Sequence, residues 1–274
     1  MIPLRDNVPS RRRPIVNYLV IAACALVFLA QLDEDPRGGS LIERYGMIPA
    51  RVIHPDRPIQ IVHEELVRTP FGPRIHRTAH LAAPAAVPAF LTLLTCIFLH
   101  GGWMHILGNM WFLYIFGDNV EDCFGHLGYL VFYLCCGVAA SLAHLLAGPG
   151  SQMPTIGASG AIAGVMGAYF LLYPRAKVLT LVPIFFFFYM IVLPAPLFLG
   201  VWFVIQFFQG TFAIGGTETA GVAWWAHIGG FVVGFLAAAR LRARCRLRPV
   251  VETVRPDSER VGLYRVRRPG DPRI

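Results

Sequence analysis

The chain has 274 residues, of which 55% are hydrophobic and only 15% charged, with a formal net charge of +8. A soluble globular domain carries about 25% charged residues, so this composition excludes an ordinary water-soluble domain and points to lipid. The positive charge is almost all arginine, with Lys177 the only lysine, and the arginines flank apolar runs. That placement reads as membrane orientation rather than as a nucleic-acid surface.

Residues 1–14 read as a short basic tail ending in Arg11, Arg12 and Arg13. The apolar run from Ile15 to Leu32 is predicted to be a first span. It resembles a signal sequence, and Ile21-Ala22-Ala23-Cys24 resembles a lipoprotein cleavage box. The run continues past Cys24, whereas a signal's apolar core is usually about 7–15 residues, so an uncleaved span is the better reading. Residues 33–86 are polar and proline-containing, an extramembrane loop with some structure of its own. Its histidines, His54, His63, His76 and His80, do not make a metal site: His63-Glu64-Glu65 lacks the second histidine four residues on that a zinc helix requires. The six cysteines lie mostly in or beside apolar runs without metal spacing, and are read as small apolar residues rather than a disulfide framework.

Residues 87–117 are too long for one span and too short for two, and His100-Gly101-Gly102 breaks them. A short helix in or on the membrane is predicted at about 88–99, then span 2 at about 103–117. Asp118, Glu121 and Asp122 form its polar end. Span 3 is predicted at about 127–147 and span 4 at about 157–173, stopped by Pro174 and Arg175. Residues 178–210 admit one span with an interfacial segment, or two spans. The last apolar run, about 222–239, is followed at once by Arg240, Arg242, Arg244, Arg246 and Arg248. Arginine prefers the cytoplasmic side, so both termini are expected inside. That needs an even number of crossings, hence one within 178–210, at about 192–210. The expected fold is an all-α six-transmembrane-helix bundle over 15–240, with an Arg- and Pro-rich cytoplasmic tail over 241–274.

With the N-terminus inside, spans 2, 4 and 6 all enter from the outer side. His105 and Asn109 share a face in the first turns of span 2, Ser159 opens span 4, and His227 lies near the start of span 6. All four sit within roughly 10 Å of the outer ends, at 1.5 Å per residue. Polar side chains inside spans are costly and usually face a cavity or each other. Taken singly, Ser159 within Gly157-Ala158-Ser159-Gly160 reads as small-residue helix packing, and His227 and Asn109 as interhelical hydrogen bonders. Gly160 with Gly164, and Gly230 with Gly234, each make a Gly-xxx-Gly face. Two such faces would let spans 4 and 6 approach closely enough for a serine to meet a histidine. Neutral imidazole is the base a serine nucleophile needs, and His105, Asn109 and the Ser159 N–H could stabilise an oxyanion. No Asp or Glu lies inside these three spans; Glu218 is the only nearby outer candidate, so the expected arrangement is a Ser–His dyad.

These residues resemble the rhomboid family of intramembrane serine proteases. His100-x4-His105-x3-Asn109, Gly157-Ala158-Ser159-Gly160 and Ala226-His227-x2-Gly230-x3-Gly234 match its motifs of spans 2, 4 and 6, in order, over about 15–240. The resemblance implies Ser159 as nucleophile, His227 as general base, His105 and Asn109 as the oxyanion pair and His100 as a structural residue. It implies a partly membrane-embedded first loop over 33–102 and a flexible cap at 211–223. It also implies membrane-protein substrates cut near the outer face after a small residue, with no cofactor or metal. Two departures stand out. Ala163 occupies the place, four residues after Ser159, where the family often has an aromatic stacking on the base, so an aromatic from another span is expected to hold His227. The Trp-Arg pair often seen in the first loop is missing. The other readings are a small transporter or channel, against which stands the lack of an internal repeat, and an inactive relative that only binds membrane proteins. The arginine bias suggests a GC-rich genome and so a bacterial inner membrane.

Overall fold

The computed structural model describes residues 1–34, 40–69, 72–184, 187–213 and 224–245. The tail from 246 onward, most of the expected cap and Glu218 lie outside them. The chain is mostly helical, and three described helices are long and apolar enough to cross a membrane: α1 (Ile15–Leu32), α6 (His126–Ala147) and α9 (Trp224–Leu241). A fourth counts if the short helical segment Ala89–Phe98 and α5 (Trp103–Phe124), bent by 79° at the glycine break, form one broken span. The break falls at Gly102, whose φ of 154° suits glycine. Two further apolar helices are shorter: α7 (Ser159–Leu172), and Ala195–Phe208 within α8 (Ala195–Ala213). The first loop adds α2 (Leu41–Tyr45), α3 (Pro49–Ile53) and, within the segment before α5, α4 (Thr92–Thr95).

The expectation of an all-α chain is corrected by five strands. β1 (Ile2–Asp6), β4 (Lys177–Ile184) and β5 (Phe187–Pro194) form an antiparallel sheet in the order β1-β4-β5. In the first loop β2 (Gln60–Thr69) pairs with β3 (Gly72–Leu81). The stretch before α8, expected to be an interfacial segment or an extra span, is thus a pair of antiparallel strands. Its residues are β-branched and aromatic, and Pro183 bars a helix interior. Pro183 is tolerated because β1 stops pairing at Ile2–Leu181, two residues short of it. The N-terminal segment read as a tail is likewise corrected: it docks as an added strand. Its Asp6 accepts hydrogen bonds from Asn119 Nδ2 (2.8 Å) and from the Tyr169 hydroxyl.

The acidic run that looked like a helix end is instead helical to Phe124 and holds α1. α1 begins after Pro14 with no side-chain cap of its own. Glu121, 1% exposed, supplies one from another helix: its two carboxylate oxygens accept from Val16 N at 3.0 Å and Asn17 N at 2.8 Å. A carboxylate on free N–H groups at the positive end of a helix is favourable on both counts. Asn17 continues the junction, donating to Leu113 O and accepting from the Tyr129 hydroxyl. The base of the bundle is also tied covalently: Cys123, at the end of α5, is disulfide-bonded to Cys245, just after α9. This corrects the expectation of no disulfide. The two helix ends converge at the base, although 122 residues separate them in the chain. The other four cysteines are free.

The most extensive helix contact is between α7 and α9. A Cβ at Gly230 would overlap the carbonyl oxygen of Gly160, one at Gly234 that of Gly164, and one at Gly167 that of Phe231. No side chain fits between the two backbones at these points.

Two expectations follow. Gly234→Val should force α9 off α7 and lower the melting temperature of the purified protein, at a cost of about 1–3 kcal/mol or more. Burial pushes the Asp6 carboxyl up from 3.8 to about 6, against the opposing bond from Tyr169. A carboxyl whose folded pKa exceeds its unfolded one stabilises the folded chain below the unfolded value, and loses that contribution as pH rises through the folded value. Thermal melts of wild type and Asp6→Asn should therefore differ in slope over that window, with the variant showing less loss towards neutral pH.

Candidate active site

Each polar residue of the pocket is positioned by a local feature of the chain. The first loop docks on the segment before α7: Met47 and Thr155 exchange both backbone hydrogen bonds, at 3.1 and 2.7 Å, and Gly157 N donates to Cys96 O at 2.9 Å. Gly157 has φ of 124°, and a Cβ there would come within 2.8 Å of the His105 ring. Glycine is required twice over, by the backbone angle and by the imidazole lying against it. The chain then enters α7 with Ser159 as its first residue, where helix N–H groups have no intrahelical acceptor.

Ser159 and His227, both singled out in the sequence, meet: Ser159 Oγ and His227 Nε2 are 2.8 Å apart. The meshed glycines produce this distance, because Gly160 directly follows Ser159 and Gly230 lies one turn beyond His227. Gly160 also abuts Ala140 of α6, and Ala226 is its neighbour across the interface. His227 is 9% exposed.

His105 and Asn109 line the same cavity, of about 390 Å³, with Ser159 and His227. His105 Nδ1 accepts from Gly101 N at 3.2 Å, so in the neutral ring the proton sits on Nε2, making that nitrogen a donor. Asn109 Nδ2 is buried and has no hydrogen-bond partner among the described residues. A buried donor left unpaired is costly, and at a pocket wall it is available to a bound oxygen. His100, 1% exposed, stands outside the pocket lining and packs edge-on against His105, with ring centroids 5.2 Å apart. Its backbone is held by Gln31, which donates to His100 O at 2.9 Å and accepts from His100 N at 3.0 Å.

Three residues of the site escaped the sequence reading. Gln206 of α8 places Oε1 2.5 Å from His227 Nδ1. Trp202, one turn earlier on α8, lies 5.7 Å from the His227 ring, centroid to centroid. Trp224 of α9 meets the ring edge-on at 6.1 Å. Ala163 is fully buried and makes no ring contact, so the aromatic expected from another span is Trp202. A signal for Gln206 existed: a glutamine inside an apolar run is expensive in lipid and marks an inward face. Trp202 shares that face by its spacing of four. As a chemical arrangement the pocket holds a hydroxyl, an imidazole touching it and two donors beside it.

The family model described as the Rhomboid domain matches residues 88–244. The chain is 41% identical to Rhomboid-like protein 11, chloroplastic, of Arabidopsis thaliana over 78 residues, 28% of each chain. It is 34% identical to the rhomboid protease GluP of Bacillus subtilis (strain 168) over 151 residues, 54% of this chain and 25% of that one. It is 33% identical to RHOMBOID-like protein 12, mitochondrial, of Arabidopsis thaliana over 172 residues, 55% of this chain and 46% of that one. The matched stretches thus span less than half the length of these curated relatives. The domain match covers more than half of this chain and contains every residue that meets at the pocket, and the chain belongs to the rhomboid family of integral membrane proteins.

Proposed function

We propose that the protein is an intramembrane serine endopeptidase acting through a Ser159–His227 dyad on the spanning segments of other membrane proteins. The observation that carries this reading is the 2.8 Å contact between Ser159 Oγ and His227 Nε2, in a cavity lined by an amide donor, Asn109 Nδ2, with no partner among the described residues. His227 Nε2 takes the hydroxyl proton as Oγ attacks the scissile carbonyl carbon. The carbonyl oxygen becomes an oxyanion, and the His105 Nε2–H, Asn109 Nδ2–H and Ser159 N–H are the donors for it. The imidazolium then gives its proton to the leaving amine, the C–N bond breaks, and an acyl-enzyme remains. A water molecule, deprotonated by the same nitrogen, hydrolyses that ester and restores Ser159.

The substrate carbonyl is hydrogen-bonded within its own helix until that helix opens. Substrates with helix-weakening Gly or Pro near the cut are therefore favoured. The family resemblance adds a small residue before the cut. Six crossings with both termini in the cytoplasm account best for the arginines beside α1 and α9. On that topology the pocket lies toward the outer face. We place the chain in a bacterial cell membrane on its arginine bias, although its relatives include chloroplastic and mitochondrial proteins.

Two experiments test this. Purified wild type in bilayers should cut a model spanning substrate and react with a fluorophosphonate; Ser159→Ala should do neither, and His227→Ala should not label. Asn109→Ala should slow cleavage about 10²- to 10³-fold, the usual cost of one oxyanion donor. Equal cleavage by wild type and Ser159→Ala would end the protease reading in favour of a binding or transport role. For the topology, a reporter active only outside the cytoplasm should stay silent when fused after residue 241, and a signal there would overturn the inward C-terminus.

A further inference from the structure

We infer that Gln206 is a positioning residue that sets the tautomer of His227, taking the place an aspartate fills in a Ser–His–Asp triad. The inference rests on the hydrolase reading above. Both ring nitrogens of His227 are occupied: Nε2 faces Ser159 Oγ at 2.8 Å and Nδ1 faces Gln206 Oε1 at 2.5 Å. A neutral imidazole has one N–H and one lone pair. The amide oxygen is an acceptor only, so the proton must sit on Nδ1. Nε2 is then left with the lone pair that accepts the Ser159 proton. With the amide turned over, its N–H would face Nδ1 and drive the ring proton to Nε2. His227 would then donate to Ser159 and could not act as its base. The orientation of one glutamine amide thus separates a competent dyad from an inert one.

The neighbourhood supports a built contact rather than a chance one. Gln206 is 7% exposed, on a helix whose residues before it, Ala195 to Ile205, are all apolar. Trp202 sits one turn before it on the same helix and packs against the imidazole at a tilt of 41°, while Trp224 meets it edge to face. The ring has a tilted tryptophan and an edge-to-face tryptophan beside it and a partner at each nitrogen, and α8 supplies two of these four contacts. A neutral acceptor also suits the site: a carboxylate there would be a buried charge beside an imidazole that is neutral in the resting dyad, which is costly. Gln206 orients the proton without bringing that charge.

The test uses the full chain in lipid bilayers, with Gln206→Leu, which keeps the bulk and removes the acceptor, and Gln206→Glu, which keeps an acceptor. Gln206→Leu should lose roughly 10- to 100-fold in fluorophosphonate labelling and cleavage, less than the loss seen when a triad aspartate is replaced. Gln206→Glu should recover most of that loss. Nitrogen-15 spectra of the imidazole should show the Nδ1–H form in wild type and in Gln206→Glu, and a shift toward Nε2–H in Gln206→Leu. Thermal melts establish that both variants fold. Wild-type labelling by Gln206→Leu, or equal loss in both folded variants, would overturn the inference while leaving the dyad intact. The spectral arm needs no activity: a wild-type ring protonated on Nε2 would overturn the positioning role whether or not the chain proves to be a protease.

Discussion

Helices α7 and α9 lie backbone against backbone, and the rest of the pocket depends on that distance. Gly230 and Gly234 of α9 lie against the carbonyls of Gly160 and Gly164, and Gly167 of α7 lies against that of Phe231, so none of these three has room for a Cβ at the crossing, while Gly160 and Gly164 themselves face Ala140 and Cys136 of α6. Among apolar chains in lipid, little hydrophobic force draws helices together, so close van der Waals contact through small residues does the work. The consequence for chemistry is direct. A serine at the first position of α7 and a histidine in the first turn of α9 are delivered to hydrogen-bond distance by the scaffold, with no loop needed to carry either. Sites on rigid elements hold geometry better than sites on loops.

The base of the bundle is organised by polar contacts that the mouth does not use. Glu121 caps α1 from across the structure, Asn17 ties α1 to both α5 and α6, and Tyr173 donates to Asn119 O. The three-stranded sheet closes the same end, since β1 reaches Asn119 and Tyr169 through Asp6 and joins the antiparallel strand pair that leads into α8. α8 carries Trp202 and Gln206, so the sheet at the base fixes where the helix that holds His227 begins. Sheet and pocket are linked through one helix: β5 leads into its first residue, and Trp202 and Gln206 lie about two and three turns further on.

Much of this was readable in the residues. The apolar runs of α1 and α6, the glycine break before α5 and the string Gly157-Ala158-Ser159-Gly160 each announce themselves within a few neighbours. The glycine spacing of four on two separate runs already implied a close crossing, and with it the meeting of Ser159 and His227. The strands were less legible. In a chain this apolar, Val178 to Leu193 has the hydropathy of a span, and an apolar run of that kind does not by itself separate paired strands from a buried helix. The basic N-terminal segment gave no sign of pairing, because its partner strand lies some 175 positions away.

The sequence alone determined which segments are apolar, where the helices break and which polar residues must hide from lipid, for these follow from composition and short-range spacing. The folded chain decided the pairings: Gln206 to His227, Glu121 to the start of α1, Cys123 to Cys245 and β1 to β4. The physical reason is the same in each case. A buried donor, acceptor or strand edge must find a partner. Which one it finds is set by how the helices cross, and no local periodicity records that.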